Sequence, residues 1–329
     1  MIIEQSATHT DIAGVTTQRV MHASLLGTGS ALPERVIDNH YFVNNLKLDT
    51  TADWIVERTG IEQRRYVAAG QDVVDLAADA GLAALEAARL TPDELDVIIV
   101  ATSTPRFTMP STACLVQEML CAKHAMAFDI NNACSGFVYA FDAAVRYLQT
   151  GPRNILVIGA DLGSRLVDPA DRGTAIFFGD GAGAAVLSAK GEGRVLASRL
   201  YSQGDSVPLN VPVGGHMTMD GRAIWNFVNE VLPNTIRQLC SDAGVSPSDI
   251  ALLVPHQANS TMIGAATASL GIAPERIAFN LSRYGNTLAA SIPIALDEAM
   301  RAGRAKPGDL VLLTGFGAGL AWGGSIIKL

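Results

Sequence analysis

Residues 125–151 read AMAFDINNACSGFVYAFDAAVRYLQTG, and the fold is decided there. Residues 125–130 are a short apolar run with the length and bounds of a buried strand. Asn131-Asn132-Ala133 is a polar turn. From Ser135 onward, Phe137, Phe141, Ala144 and Leu148 recur at three- and four-residue spacings, which predicts an amphipathic helix closed by Gly151. Cys134 therefore falls where a strand hands over to a helix. The first N–H groups of a helix lack intrahelical partners and carry partial positive charge, so a thiol placed there is expected to ionise more readily. That is a setting for a nucleophile, although free cysteine is also among the most buried residue types.

The same strand-to-helix unit recurs in both directions from Cys134. Residues 20–26 read as a strand ending in Gly27-Thr28-Gly29-Ser30; the third glycine of a nucleotide-binding turn is absent and Pro33 follows, so a simple turn is expected. Trp54 and Arg58 lie four residues apart on one helical face, a spacing that can clamp a planar anion or simply bury an aromatic beside a solvated cation. Residues 73–90 predict an Ala-rich helix, 95–101 (LDVIIVA) a strand covered on both faces, 111–120 a helix, and 154–159 (NILVIG) another buried strand. Residues 175–178 and 184–188 read as strands flanking a structural glycine run. This alternation predicts a mainly parallel sheet with helices on both sides.

Residues 190–194 (KGEGR) form a charged, glycine-bearing turn, the expected boundary between a half spanning 20–190 and one spanning 191–329, with residues 1–19 as a loose polar arm. In the second half, residues 250–254 are a strand delivering Pro255-His256-Gln257-Ala258-Asn259, followed by a helix over 260–270. Residues 277–281 are strand-like and lead to Gly285-Asn286 at the start of a helix over 287–302. Residues 310–313 run into Thr314-Gly315-Phe316-Gly317-Ala318-Gly319 before a terminal strand. His256 and Asn286 thus stand at strand-to-helix corners, as Cys134 does. In a parallel sheet such corners share the carboxyl edge where ligands bind.

Composition narrows the function classes. With 329 residues, 49% apolar and 17% charged, the chain is long enough for a large core. A net charge of −8 without a Lys/Arg run argues against a general affinity for nucleic acid or anionic membrane. Cys114, Cys121, Cys134 and Cys240 show no Cys-x-x-Cys pair and no His at zinc-finger spacing, so neither a metal cluster nor a disulfide framework is expected, and a reducing cytoplasm fits best. Residues 1–19 show no signal-peptide pattern, and no apolar run has membrane-spanning length.

Taken together, Asn132-Ala133-Cys134-Ser135-Gly136, Val254 to Asn259, Gly285-Asn286-Thr287 and Gly315 to Gly319 resemble the β-ketoacyl-acyl-carrier-protein synthase III family of the thiolase superfamily, with the motifs in the family's order from residue 20 to the end. The resemblance implies a five-layered αβαβα fold of two similar halves and a homodimer. It implies that Cys134 takes an acyl group from coenzyme A, that Cys134 and Ala318 supply backbone N–H groups to the oxyanion, and that Phe316 gates the site. His256 and Asn286 would then support loss of carbon dioxide from a malonyl thioester, carried on coenzyme A or on a carrier protein, in fatty acid initiation or a specialised polyketide-type pathway. No permanently bound cofactor or metal is implied. Trp54 and Arg172 match an adenine sandwich, beside Arg58; Thr50, Gly221, Ala258 and Asn259 match positions along the coenzyme A tunnel. The acyl pocket positions match Met109, Gly163, Phe178 and Trp225, and the small Gly163 suggests a primer other than acetyl. The basic patch that docks a carrier protein is replaced by Asn226, Thr261, Ala268 and Ser269, with Arg222, Arg237 or Arg283 as substitutes of unknown direction. The alternative within this fold is an acyltransferase that moves the acyl group from Cys134 to a non-carrier acceptor without decarboxylation. A silent coenzyme A-binding scaffold and a dinucleotide oxidoreductase stand further off, the first because all three site residues are present, the second because the glycine fingerprint is incomplete.

Overall fold

The computed structural model describes residues 15–17 and 20–329. In chain order the strands of the first half are β1 (Val15–Thr17), β2 (Met21–His22), β3 (Ser24–Ala31), β4 (Arg35–Asp38), β5 (Gln63–Tyr66), β6 (Val97–Ala101), β7 (Met126–Ile130), β8 (Asn154–Leu162) and β9 (Asp180–Ser188). Its helices are α1 (Asn39–Asn44), α2 (Ala52–Thr59), α3 (Val73–Ala88), α4 (Thr112–Leu120), α5 (Gly136–Leu148) and α6 (Arg172–Ala175). The second half adds β10 (Arg194–Asp205), β11 (Leu209–Asn210), β12 (Thr218–Met219), β13 (Leu252–Pro255), β14 (Leu310–Gly317) and β15 (Gly319–Lys328), with helices α7 (Gly221–Ala243), α8 (Ser260–Thr267), α9 (Leu281–Tyr284) and α10 (Ser291–Arg301).

Two sheets carry the fold. One runs β3-β9-β8-β6-β7, all strands from before the 190–194 turn; the other runs β1-β10-β15-β14-β13, with β2 beside β10, while β4 and β5 pair with each other. Strand β6 shows why its sequence is apolar without interruption. Val97 and Ile99 face the core that contains α5 and α10, whereas Ile98 and Val100 face the core beneath α3 and α4. Strand β14 divides its residues in the same way: Val311 and Leu313 join the α5–α10 core, and Leu312 joins the core under α7 and α8. The layers are therefore α3/α4, sheet, α5/α10, sheet, α7/α8, the five-layered αβαβα arrangement. Helix α5 sits between two sheets and buries nine of its residues, including Phe137 and Phe141. Such a helix is held by packing on both sides rather than by propensity.

Several local expectations are corrected. The sheets are mixed: β6–β7, β6–β8 and β13–β14 are parallel, but β3–β9, β8–β9, β10–β15 and β14–β15 are antiparallel. The glycines of 27–29 and 180–183 lie inside strands, not turns. A Cβ on Gly27 would meet Ala88 N at 2.4 Å, and one on Gly29 would meet Ala84 N at 2.4 Å, so bare backbone there lets α3 lie directly on β3. Residues 175–178 are the end of α6 and a turn, and 277–281 make only an isolated bridge from Ile277 to Leu253. Strand β7 is an edge strand that is half-exposed rather than buried. Of the expected polar arm, residues 1–14 and 18–19 lie outside the described residues, while Val15–Thr17 is a strand paired antiparallel with Ser198–Leu200. No helix among the described residues is long and apolar enough to cross a membrane.

Candidate active site

Cys134, His256 and Asn286 come from three separate segments and line one cavity of about 850 Å³. Cys134 follows β7 within a short 3-10 turn, Ala133–Ser135, that feeds α5. The residue before it, Ala133, holds φ at +45°, a left-handed conformation that is costly for a side-chain-bearing residue and clusters at functional sites. Across the cavity the β14–β15 turn presses on the thiol. A Cβ on Gly317 would meet Cys134 Cβ at 2.9 Å, so only glycine lets that turn approach, and the turn places Phe316 and Ala318 on the cavity wall.

The sulfur's chemistry is not what its helix-start position predicts. Cys134 is 4% exposed, and burial pushes the thiol up to about 12, with the negative charge of Asp161 acting in the same direction; only its own backbone N–H favours the thiolate. The magnitudes decide the outcome. A helix N-terminus contributes about 0.3–1 kcal/mol, less than one pKa unit, whereas full burial moves a group by about 3–5 units. The Cys134 side chain is therefore a thiol, not a thiolate, at neutral pH.

His256 directly follows β13, is 1% exposed, and is anchored through its N–H to Thr314 O at 2.8 Å. Burial lowers its pKa to about 3, so the ring is neutral at any physiological pH. Its Nδ1 lies 2.7 Å from Ser291 Oγ, and Ser291 Oγ already accepts the Gln257 N–H at 3.3 Å. Donation of the Ser291 hydroxyl hydrogen to Nδ1 goes with the tautomer that carries the ring proton on Nε2. The Phe316 ring packs edge-on against the imidazole at 5.1 Å. Asn286 is fixed at three points: its N–H donates to Phe177 O at 2.9 Å, its carbonyl accepts from Gly179 N at 2.9 Å, and its Oδ1 accepts from Leu288 N at 2.9 Å. Because Oδ1 is the only side-chain atom that can accept from that N–H, the amide orientation is determined and the Nδ2 hydrogens are left for the cavity. Two neutral N–H donors and a thiol therefore converge in one largely apolar chamber.

The rim gathers the next group of residues. Arg172 lies over the Trp54 ring at 5.0 Å and Arg58 at 5.9 Å, and Arg172 Nη1 donates to Asp49 O at 2.7 Å beside Thr50. Asn259 caps α8 and donates through Nδ2 to Arg58 O at 2.9 Å, joining the rim to the cavity wall that Ala258 and Asn259 line. Gly221, Phe178 and Trp225 also line the cavity. Thr50 stands on the rim, outside the lining.

Two of the expected acyl-pocket residues do not line this chain's cavity. Met109 is 81% exposed on the loop after β6 and does not line this chain's cavity. Gly163 is buried behind the wall, because the room for a side chain is taken by Gly179 O at 2.8 Å, Phe178 Cβ at 2.9 Å and Leu288 Cδ1 at 3.4 Å. Its smallness opens no void of its own and acts on the pocket only by letting Phe178 sit back from the cavity. Gly163→Ala is accordingly expected to push Phe178 into the cavity, to cost about 1–3 kcal/mol in denaturant unfolding, and to disfavour longer primers more than short ones. Of the three arginines, Arg283 is taken up by Glu298 at 2.8 Å, Arg222 is exposed at the first turn of α7, and Arg237 donates to Ser269 Oγ at 2.9 Å on the α7–α8 face.

Sequence reasoning missed the hairpin β11–β12, whose residues 209–217 and Met219 wall one side of the cavity. Its signal was present: Pro212-Val213-Gly214-Gly215 between Leu209 and Met217 is a turn flanked by apolar residues. Ser291 and Asp161, which act on the site from behind, carried no local signal.

Comparison with known proteins agrees with this geometry. Residues 128–204 match the family model of 3-oxoacyl-[acyl-carrier-protein] synthase III, and residues 240–329 match the model of its C-terminal part. The chain is 43% identical to β-ketoacyl-[acyl-carrier-protein] synthase III of Erythrobacter litoralis, over 94% of this chain and 100% of that protein. The crystal structure of 3-oxoacyl-[acyl-carrier-protein] synthase III from Aquifex aeolicus superposes with a TM-score of 0.91 at 42% identity, covering 93% of this chain and 100% of that one. The priming β-ketosynthase of the R1128 polyketide biosynthetic pathway superposes at 0.88 with 30% identity, covering 94% and 96%. The motifs, the five layers and this likeness over nearly the whole length together place the chain in the 3-oxoacyl-[acyl-carrier-protein] synthase III family.

Proposed function

We propose that the chain loads an acyl group from coenzyme A onto Cys134 and condenses it with a malonyl thioester, releasing carbon dioxide and a 3-oxoacyl thioester. The observation that carries this reading is the convergence of a thiol, the His256 Nε2–H and the Asn286 amide on one apolar cavity. In the first step the Cys134 sulfur attacks the thioester carbonyl, and the oxyanion is held by the backbone N–H groups of Cys134 and Ala318. Coenzyme A leaves as the thiol, carrying the proton that Cys134 gave up. In the second step the malonyl carboxylate leaves as carbon dioxide, and the electron pair it releases forms an enolate. The enolate oxygen accepts from His256 Nε2–H and Asn286 Nδ2–H, two neutral donors that stabilise the developing charge without binding the departing carboxylate. The enolate carbon then attacks the acyl carbonyl, and the Cys134 sulfur leaves as the thiolate, which takes a proton from water to restore the thiol. Phe316 keeps the chamber apolar, which suits departure of a neutral molecule. The acyltransferase alternative makes no use of Asn286, and one carbon dioxide released per 3-oxoacyl product separates condensation from simple transfer.

The rim suits the nucleotide end of coenzyme A, with Trp54 offering a ring face and Arg58 and Arg172 offering charge to phosphates. Arg172→Ala is expected to raise KM for acyl-CoA about five- to tenfold with kcat little changed, whereas an acyl-pantetheine donor, which lacks the nucleotide, shows no such change. Malonyl-CoA and a malonyl carrier protein are both extender candidates, because the α7–α8 face presents Arg237 on Ser269 in place of a full basic patch. The partner we propose for the chain itself is a second copy. Strand β7 ends its sheet with an unpaired edge among the described residues, and Met126, at 47% exposed, lies on it; an apolar edge of this kind is normally covered. The four free thiols suit a reducing cytoplasm.

A further inference from the structure

Asp161 makes none of the bonds assigned above, yet its carboxylate is fully buried at the end of β8 and accepts four hydrogen bonds. Oδ1 accepts from Ser103 N–H at 2.7 Å, Thr104 Oγ1 at 3.0 Å and Thr102 Oγ1 at 3.2 Å; Oδ2 accepts from Ala289 N–H at 3.0 Å. No cation pairs with it among the described residues. Burying an uncompensated carboxylate is costly, so the geometry it enforces calls for an explanation. The four donors come from two places that the carboxylate joins: the turn after β6, where Ser103 and Thr104 line the cavity, and the 286–290 turn of the other half.

The second turn is the one that aims Asn286. Leu288 within it holds φ at +52°, a left-handed conformation that persists in a side-chain-bearing residue only where its surroundings enforce it. Its N–H is taken by Asn286 Oδ1, and the next N–H, that of Ala289, is taken by Asp161. The strained residue is thus clamped on one side by the amide it orients and on the other by the Asp161 carboxylate. We propose that Asp161 is a positioning residue for the decarboxylating step, its carboxylate fixing the turn that presents the Asn286 amide to the enolate. This rests on the role assigned to Asn286.

The same carboxylate acts electrostatically on Cys134, and that supplies a readout a purely structural group would not move. The charged and titratable groups around the thiol are Asp161 on β8 and the neutral His256 after β13; on α5, the Tyr139 hydroxyl donates to Tyr201 O at 2.6 Å, and Asp142 and Arg146 pair with each other at 2.6 Å. Burial raises Asp161 itself to about 6, so above that pH it is an anion whose charge opposes the thiolate. Removing the charge lowers the thiol pKa, and alkylation of Cys134 then proceeds at lower pH.

The test is Asp161→Asn in the full chain, an isosteric change that abolishes the charge and leaves the Ala289 N–H without an anionic acceptor. Three rates are read: acyl-adduct formation from acyl-CoA, discharge of the adduct by malonyl-CoA, and iodoacetamide alkylation of Cys134 against pH, followed on the Cys134 peptide. Discharge is expected to fall at least about tenfold more than adduct formation, and the alkylation profile to move to lower pH. Equal losses in both steps would overturn the proposal; an unmoved alkylation profile alone would remove only the electrostatic effect on Cys134. Should the variant fail to fold, Thr102→Val removes one of the four donors and keeps the charge, so the alkylation profile is expected to stay in place; discharge that still falls more than adduct formation, by a smaller factor, supports the proposal, and an unchanged ratio of the two rates overturns it. Alkylation needs no substrate, so an Asn286→Asp enzyme that still discharges its adduct would remove the Asn286 role while leaving the thiol measurement intact.

Discussion

Cys134→Ala is expected to take up no acyl group from any acyl-CoA and to lose condensation by at least about 10³-fold, with its melting transition close to that of the parent. The size of the loss follows from the route. Without the sulfur no covalent intermediate forms, and neither His256 nor Asn286 can replace it: the imidazole is buried and held at Nδ1 by Ser291, and the amide is not a nucleophile. Stability is spared because the thiol makes no ion pair and alanine needs less room beside Gly317. The reactions at Cys114 and the exposed Cys121 serve as internal controls, since labelling there should continue unchanged. A protein in which acylation moved to either of those residues would contradict the assignment.

The second large effect belongs to Asn286→Asp. Adduct formation from acyl-CoA is expected to persist within about threefold, while malonyl decarboxylation falls by about 10²–10³-fold, the loss seen when one preorganised donor to a developing oxyanion is removed. The Leu288 N–H continues to hold one side-chain oxygen, so the local fold is retained. What changes is the group facing the cavity: a carboxylate oxygen replaces an N–H2, and a negative charge then faces both the malonyl carboxylate and the enolate. A stopped-flow comparison of the two half-reactions reads the split directly. Equal impairment of both halves would assign Asn286 to the architecture rather than to the enolate.

The corners that hold Cys134, His256 and Asn286 were legible in the sequence because each is local: an apolar strand, a polar or glycine-bearing turn, then helical spacing. The five layers were legible in strands such as β6, whose unbroken apolar run makes sense only if both faces are covered. Strand direction was not legible, since β9 returns antiparallel to β8 after the 163–179 excursion, and nothing local marks that reversal. Glycines misled where their function is to be absent volume. Gly27 and Gly29 serve the close approach of α3, and Gly163 is crowded by Phe178 and Leu288 rather than opening a pocket. The thiol's ionisation was misjudged for a physical reason: a helix start is visible in sequence, but the burial that outweighs it is a property of all the layers together. Asp161 and Ser291 escaped notice for the same reason, because their partners lie 128 and 35 residues away.

The most direct measurement of the central claim is the intact mass of the protein after incubation with a panel of acyl-CoA thioesters, followed by addition of malonyl-CoA or malonyl carrier protein with labelled carboxyl carbon. Condensation on Cys134 predicts one acyl adduct that maps to the Cys134 peptide, and its discharge on malonyl addition with one equivalent of labelled carbon dioxide and one of 3-oxoacyl thioester. An adduct that maps to Cys134 but leaves for another acceptor without carbon dioxide release would contradict decarboxylative condensation.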